Sequence, residues 1–221
     1  RTREPIFASV PGAIIELCFG LGHLDTPKTI STLEKMAADT DFNIRQAAVE
    51  ALVQTGAKAS STKLMTYALH GDDAVKKIAL VGATQLGNAN DLSHLDRLSA
   101  KLSSLKTTIE KERLRLVAAQ ECGNQIKCWQ TKLDDPNYRI REKAALELGW
   151  FKASDSLDAL MKRVSDEKAA VRLAAIQSLS RLEKGNLEKL KNIYKASKSK
   201  IEFNRVNHAL KRLIAQLENA A

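Results

Sequence analysis

The chain has 221 residues, enough to bury a substantial core, and its 44% hydrophobic and 28% charged residues are ordinary for a globular protein and argue against a disordered one. Aromatic residues make up only 5%, and Ala and Leu dominate the apolar set, which favours closely packed helices over a β-rich fold. The formal net charge of +9 suits acidic partners such as nucleic acid, anionic lipid or an acidic protein, and no apolar run reaches the roughly 20 residues of a membrane-spanning helix.

The first predicted element is a helix before Pro27, with apolar residues from Val10 to Cys18 at offsets 0, +3, +4 and +8. These offsets share one face of a helix with 3.6 residues per turn. Apolar or small residues recur at these offsets after six later anchors, with Lys143 as a departure at +3: Ile44, Val75, Leu114, Ile140, Val171 and Val206. The anchors stand 26 to 39 residues apart. That period predicts one helical hairpin per repeat.

Shorter amphipathic helices are predicted between the anchored ones, for example over 29–36 and 157–164. Each repeat therefore has a helix A, a turn and a helix B. Four glycines follow the B helices, where a left-handed C-terminal residue is wanted: Gly56, Gly87, Gly123 and Gly185. Pro27 and Pro136 follow the capping residues Thr26 and Asp135 and are predicted to lie in first turns.

A short motif marks the start of several B helices. Asp41-Phe-Asn-Ile44-Arg45-Gln-Ala-Ala recurs, with variation, from Asp135 and Asp166, and more weakly from Asp72. With the preceding Gly20-Leu-Gly-His-Leu-Asp-Thr-Pro27 and its amphipathic helix, this motif resembles the HEAT repeat, in the short form of the bacterial phycobilisome-lyase-like proteins.

The resemblance covers nearly the whole chain and implies an all-α fold. We expect a right-handed α-solenoid (superhelix) of about six HEAT-like helical hairpins in a single domain over 1–221. The expected repeats are a half repeat over 1–24, then 25–56, 57–88, 89–124, 125–152, 153–184 and 185–221. The resemblance also implies a structural ladder between stacked repeats, formed by Asp41, Arg45, Asp72, Arg141, Asp166 and Arg172. A contact to phosphate is the less favoured interpretation of these arginines.

Solenoids bind partners on the concave face, which B helices usually line. The B-helix positions that we expect to meet a protein partner are Gln46, Glu50, Lys77, Gln120, Glu142 and Gln177. The C-terminal region is a second candidate, because nine basic and four acidic residues lie between Glu183 and Ala221. Its candidate contacts are Lys195, Lys198, Lys200, Lys211 and Arg212. This cluster either neutralises phosphates or forms the solvated cap that a terminal repeat needs, and the cap is favoured because aromatic residues for base stacking are scarce there.

Cys122 and Cys128 are separated by five residues that span the turn from a B helix into the next A helix. The ends of a helical hairpin can bring two β-carbons within the roughly 3.5–4.5 Å that a disulfide requires. The alternative is two buried thiols. A disulfide would indicate a periplasmic or other extracytoplasmic location, and free thiols a cytoplasmic one. Cys18 falls on a buried face, and Trp129 and Trp150 are expected in the core, with an exposed anchor as the alternative.

Nothing in the sequence indicates catalysis, a cofactor or a metal. The four histidines are dispersed, and there is no phosphate-binding loop, nucleophile elbow, His-Glu-x-x-His helix or His-Glu pair. We therefore expect a non-catalytic protein-interaction scaffold. The alternatives are a solenoid that binds nucleic acid, similar to the HEAT-like DNA glycosylases, and an enzyme of the chromophore-lyase kind, which would need a pigment.

Overall fold

The structure is a computed structural model that describes residues 10–24, 26–198 and 205–220, and these residues are all α-helical with short turns and no strand. The thirteen helices of the described residues are α1 Val10–Leu21, α2 Pro27–Met36, α3 Phe42–Thr55, α4 Ser61–His70, α5 Asp73–Leu86, α6 Leu92–Lys101, α7 Lys106–Cys122, α8 Ile126–Lys132, α9 Tyr138–Trp150, α10 Leu157–Arg163, α11 Ala169–Leu182, α12 Leu187–Lys198 and α13 Arg205–Asn219. The predicted α-solenoid class of helical hairpins is confirmed.

Helix α1 is a single B helix, and the described helices after it alternate A and B, so that the even-numbered helices are A and the odd-numbered ones B. The chain divides into two compact units, 1–120 and 121–221. In the first unit α3 packs on α1 and α5 packs on α3, and in the second α11 packs on α9 and α13 packs on α11. The B helices α1, α3 and α5 thus form one row and α9, α11 and α13 another, with A helices packed against them. A single domain over 1–221 stays a prediction.

The buried face of the B helices follows the predicted offsets closely. In α3 the anchor Ile44 and the residues at +3, +4 and +8 are all buried, and the same holds for Val171 and its helix α11. Ala occupies +3 and +4 in both helices. Small residues at these positions let neighbouring helices approach closely.

Helix α7 departs from the prediction. Its anchor was predicted at Leu114, which is 37% exposed; the predicted +4 and +8 residues, Ala118 and Cys122, are buried, as are Ile109 and Leu116. The helix begins at Lys106 and has 17 residues, so its buried stripe starts a full turn earlier than the anchor pattern assumed.

Helix termini follow the sequence signals in the first unit. Asp41 accepts hydrogen bonds from the backbone N–H groups of Asn43 and Ile44, Asp72 caps α5 through the N–H of Val75, and Thr26 caps α2 before Pro27. Each cap satisfies backbone donors that the helix itself leaves without partners.

Three terminal predictions were wrong. Gly87 has extended backbone at φ −67°, and Gly185 is not in the left-handed region; Glu183 takes that conformation instead, at φ 51°, and ends α11 two residues earlier. Pro136 lies outside the first turn of α9, because Asn137 caps that helix. The predictions for Gly56 and Gly123, at φ 70° and 50°, are confirmed.

Candidate functional site

The three repeated arginines hold the loops that precede their own B helices. Arg45 donates from Nη1 to the carbonyl oxygens of Asp39 and Thr40, at 3.0 and 2.8 Å. Nη1 of Arg141 donates to the carbonyl oxygens of residues 135 and 136, and Nη1 of Arg172 donates to those of residues 166 and 167, at 2.8 to 3.1 Å. Because these carbonyls lie five and six residues before the arginine, each guanidinium fixes the turn from helix A into helix B.

Two of the arginines also reach the next repeat. Nη2 of Arg45 lies 3.1 Å from Oδ2 of Asp72, and both side chains are about one-third exposed. Arg141 binds Asp166 with two parallel hydrogen bonds of 3.0 Å, and both side chains are buried. A two-pronged guanidinium–carboxylate pair fixes both distance and orientation. Asp72 and Asp166 therefore serve twice, since each also accepts a hydrogen bond from a backbone N–H near the start of its B helix.

These contacts shift the ionisation of the groups involved. Burial raises the pKa of Asp166, but the hydrogen bonds from Arg141 and the backbone of Lys168 outweigh burial and hold the pKa of this carboxyl below its usual value. The pKa of Asp72 is lowered in the same way by the N–H of Val75 and by Arg45. The pKa of the Arg141 guanidinium is raised, chiefly by its hydrogen bonds to Asp166. The Arg45–Asp72 and Arg141–Asp166 contacts thus join adjacent repeats, and the lowered pKa values of the two carboxyls favour their ionised forms.

Several charged side chains on the B helices are buried. In α7, Glu112 pairs with Arg115 one turn later, and Glu112 also lies within hydrogen-bonding distance of Thr84 on α5. In α9, Lys143 pairs with Glu147 at 2.9 Å, with both side chains buried. The only sequence signal for the second pair was Lys143 itself, which breaks the apolar pattern.

Six residues were predicted as partner contacts on the B helices, and the structure separates them. Lys77 and Gln120 are exposed, and Gln177 is half-buried. Gln46 donates to Oε1 of Glu50 at 3.2 Å, and both remain accessible in part.

Glu142 is a correction, because it is 3% exposed and is not accessible to a partner. The cause is the burial of the whole middle of α9, from Arg141 to Gly149. We call Gln46, Glu50, Lys77 and Gln120 of the first unit, and Gln177 of the second, the B-helix surface.

The predicted C-terminal contacts are described in part. Lys195 on α12 and Lys211 and Arg212 on α13 are exposed. Lys200 and the side chain of Lys198 lie outside the described residues. Nearby, Lys191 pairs with Glu218 at 2.8 Å and ties α12 to α13. We call Lys195, Lys211 and Arg212 the basic end.

Cys122 and Cys128 are joined by a disulfide, with 5.4 Å between their Cα atoms. The bridge closes the turn from α7 into α8. Within the closed segment, the carbonyl of Gly123 accepts a hydrogen bond of 2.9 Å from the indole N–H of Trp129, which is fully buried as predicted. Cys18 is also buried, and burial raises the pKa of its thiol.

Trp150 has a different environment from Trp129. It is half-buried, with Nζ of Lys143 and the guanidinium carbon of Arg181 at 5.3 and 5.6 Å from its ring centroid. Cations at these distances are attracted to the face of an indole ring. Trp150 therefore contributes to the packing of α9 against α11.

The described ranges contain neither a metal-binding cluster nor a membrane-spanning helix. In 10–24, 26–198 and 205–220 no three His, Cys, Asp or Glu side chains converge in a way that could hold a metal ion. Over the same ranges, every helix falls short of the length and apolar character needed to cross a bilayer.

Comparison with known proteins gives a family and several distant structural similarities. A family model described as HEAT repeats matches residues 11–85 and 126–211, well over half of the chain. No curated protein matches the sequence.

Three solved structures illustrate the similarity of fold. Human deoxyhypusine hydroxylase in complex with glycerol is 17% identical, with a TM-score of 0.44 over 95% of this chain and 80% of that one. The complex of CpcE and CpcF of phycocyanin lyase from Nostoc sp. PCC7120 is 14% identical, with a TM-score of 0.41 over 97% and 91%. A designed armadillo repeat protein in complex with the peptide (KR)4 is 14% identical, with a TM-score of 0.35 over 97% and 95%.

Proposed function

We propose that this chain, which belongs to the HEAT-repeat family, is a non-catalytic scaffold that binds a protein partner through its B-helix surface. Family membership supports a repeat scaffold, and the choice of a protein as partner is our own inference.

The observation that carries the proposal is a set of accessible polar side chains at offsets +2 and +6 of the neighbouring B helices α3 and α5 of the first unit. Gln46 and Glu50 stand at +2 and +6 of α3, and Lys77 stands at +2 of α5; in the second unit, Gln177 stands at +6 of α11. Offsets four apart are separated by about 6 Å along a helix, and packed helices lie about 8–10 Å apart. Such side chains can meet successive groups of an extended segment or of a protein face.

The B-helix surface is also separate from the groups that hold the fold together. The ladder occupies the starts of the B helices, and the apolar offsets face the neighbouring helices. Amide and mixed-charge side chains suit hydrogen bonding to a protein better than they suit a phosphate backbone, which selects for lysine and arginine. A protein partner is therefore favoured over nucleic acid.

The absence of catalysis is proposed from the sequence. The chain has no phosphate-binding loop, nucleophile elbow or paired His-Glu motif, and the described part of the structure adds no feature that favours the lyase alternative.

We further propose that the protein resides in an oxidising compartment. The Cys122–Cys128 disulfide supports this proposal, because structural disulfides persist outside the reducing cytosol. Alkylation of free thiols in cells of the source organism, before lysis, tests it. We expect Cys122 and Cys128 to resist the reagent, and their labelling in intact cells would contradict the proposal.

The scaffold proposal is tested by capture from a lysate of the source organism with three baits. The first is the parent chain, the second carries Lys77→Glu and Gln177→Arg on the B-helix surface, and the third carries Lys195→Glu, Lys211→Glu and Arg212→Glu at the basic end. All five replaced side chains are accessible, so each bait should keep the parent's circular dichroism spectrum.

We expect one protein to be retained by the parent and by the basic-end variant at moderate salt, and lost by the B-helix variant. Capture of nucleic acid by the parent, lost with modest salt and with the basic-end changes, would overturn the proposal, because a phosphate-driven complex weakens steeply with salt.

A further inference from the structure

The two cysteines of the Cys122–Cys128 bridge differ in their access to solvent. Cys122 is 0% exposed at the end of α7, whereas Cys128, in the first turn of α8, is partly exposed. The residues from Gly123 to Lys127, which connect the two cysteines, are all exposed. A reagent in solution can therefore approach the bridge from the side of Cys128, and the side of Cys122 is closed to it.

The charges near Cys128 favour the approach of an anion. Lys127 precedes Cys128 in the chain and is exposed, and Lys132 stands one turn after Cys128 on the same face of α8. Lys132 pairs with Glu121, so Lys127 supplies the positive charge. A cation beside a cysteine attracts an incoming thiolate and stabilises the thiolate that leaves.

Two contacts besides the bridge hold the turn between α7 and α8. Nζ of Lys132 donates to Oε2 of Glu121 at 2.7 Å. The indole N–H of Trp129, which is 0% exposed, donates to the carbonyl of Gly123 at 2.9 Å. Both contacts join the end of α7 or the turn to α8, and neither involves a sulfur atom. We therefore expect the turn to keep its conformation when the S–S bond opens.

Cys18, the third cysteine of the chain, is unsuited to exchange. It is 0% exposed, and its thiol lies 3.6 Å from Sδ of Met36. Burial raises the pKa of this thiol, which keeps it protonated and therefore a poor nucleophile. Cys18 thus provides an internal control for a buried thiol in the same molecule.

We propose that the bridge is a reversible thiol-exchange site and that Sγ of Cys128 is the atom attacked. The thiolate of a small thiol such as glutathione forms a bond to this sulfur while the S–S bond to Cys122 breaks. The electron pair of the broken bond leaves with Sγ of Cys122, which takes up a proton because a buried thiolate is disfavoured. The products are a mixed disulfide on Cys128 and a thiol at Cys122, and attack of Cys122 on the mixed disulfide reverses the step.

Two single variants of the full chain test which sulfur exchanges. Cys122→Ser leaves Cys128 as a thiol, Cys128→Ser leaves Cys122, and both keep Cys18. Each variant is incubated with oxidised glutathione, from which the cysteine thiolate displaces one reduced glutathione, and mass spectrometry of peptides locates the mixed disulfide. We expect Cys128 to react at least about tenfold faster than Cys122, and Cys18 to remain unmodified, because thiolate reactivity follows access to solvent. Both variants should keep the parent's circular dichroism spectrum.

A second measurement uses the parent chain, so that no substitution disturbs its fold. Excess reduced glutathione opens the bridge at several urea concentrations below the unfolding transition, and alkylation of the released thiols gives the rate. We expect the rate to stay within about twofold across the series, because a local opening exposes little additional surface.

Reaction of Cys122 as fast as or faster than that of Cys128 in the two variants would overturn the proposal. So would an opening rate of the parent that rises with urea in step with the unfolding equilibrium, because the bridge would then exchange only in the unfolded chain. The experiment involves no partner protein, so its outcome is separate from that of the capture experiment on the B-helix surface.

Discussion

Replacing Arg141 by methionine removes the guanidinium while keeping much of its apolar volume. Asp166, with its side chain 3% exposed, would lose both of its hydrogen bonds from Arg141 and keep those from Arg163 and from the backbone of Lys168. Removing one partner of a buried ion pair lowers the free energy of unfolding by about 3–5 kcal/mol. Because Asp166 keeps two other partners, we expect a loss of about 3 kcal/mol.

Arg45→Met is the matched control. Both arginines donate to two carbonyls of the loop before their helix, so these contacts are lost equally in the two variants. The pair of Arg45 with Asp72 has one hydrogen bond, and both side chains are about 30% exposed. A pair of this kind contributes about 0–1 kcal/mol. We therefore expect Arg141→Met to cost about 2 kcal/mol more than Arg45→Met.

Urea unfolding measures the difference. Far-ultraviolet circular dichroism follows the whole chain, and fluorescence follows residues 121–221, which contain both tryptophans. With a denaturant slope of about 1–2 kcal/mol per molar for a unit of this size, a loss of 3 kcal/mol lowers the midpoint of Arg141→Met by about 2 M. A loss in Arg45→Met equal to or larger than that in Arg141→Met would refute the assignment of the buried pair as the stronger rung.

Three further predictions concern the second unit. The pKa of Asp166 is lowered in the folded chain, so the stability from its ionised form is present above the unfolded pKa of about 3.8 and is lost as pH falls through the lower folded pKa. Acid unfolding of Asp166→Asn, followed by fluorescence, should lack this loss of stability. The same pH profile in the parent and in Asp166→Asn would contradict the prediction. The Cys122–Cys128 bridge closes a loop that constrains the unfolded chain, so its reduction should lower the free energy of unfolding in urea by about 2 kcal/mol. Reductant should have no effect on Cys128→Ser, and equal stability of the parent with and without reductant would argue against the bridge. A Cβ at Gly149 would lie 2.8 Å from Cα of Ser178, so Gly149→Ala should lower the free energy of unfolding by about 1–3 kcal/mol, and a gain in stability would show that α9 and α11 are less closely packed than described.

Much of the fold could be predicted from the sequence, because one motif sets several contacts at once. The Asp-x-x-Ile-Arg pattern at Asp41 and Arg45 supplies a cap, a loop clamp and a rung from residues whose spacing is fixed. Ala at +3 and +4 then specifies close packing of helix on helix. These are local constraints, so a short stretch of sequence contains them.

The failures arose where the outcome depends on distant neighbours. Leu114 fits the periodic pattern, yet it is 37% exposed, and the buried stripe of α7 runs through Ile109, Leu116 and Ala119 instead. Glu142 has the polarity of a surface residue and is buried, because its whole helix is enclosed.

The central claim, that a protein partner binds the B-helix surface, is tested most directly by the acetylation rates of single lysines with and without the captured partner. Lys77 lies on the B helix α5, Lys63 on the A helix α4 and Lys211 at the basic end, and all three are exposed in the structure. We predict that the partner slows acetylation of Lys77 and leaves Lys63 and Lys211 unchanged. Protection of Lys63 or Lys211 with Lys77 unchanged would contradict the account.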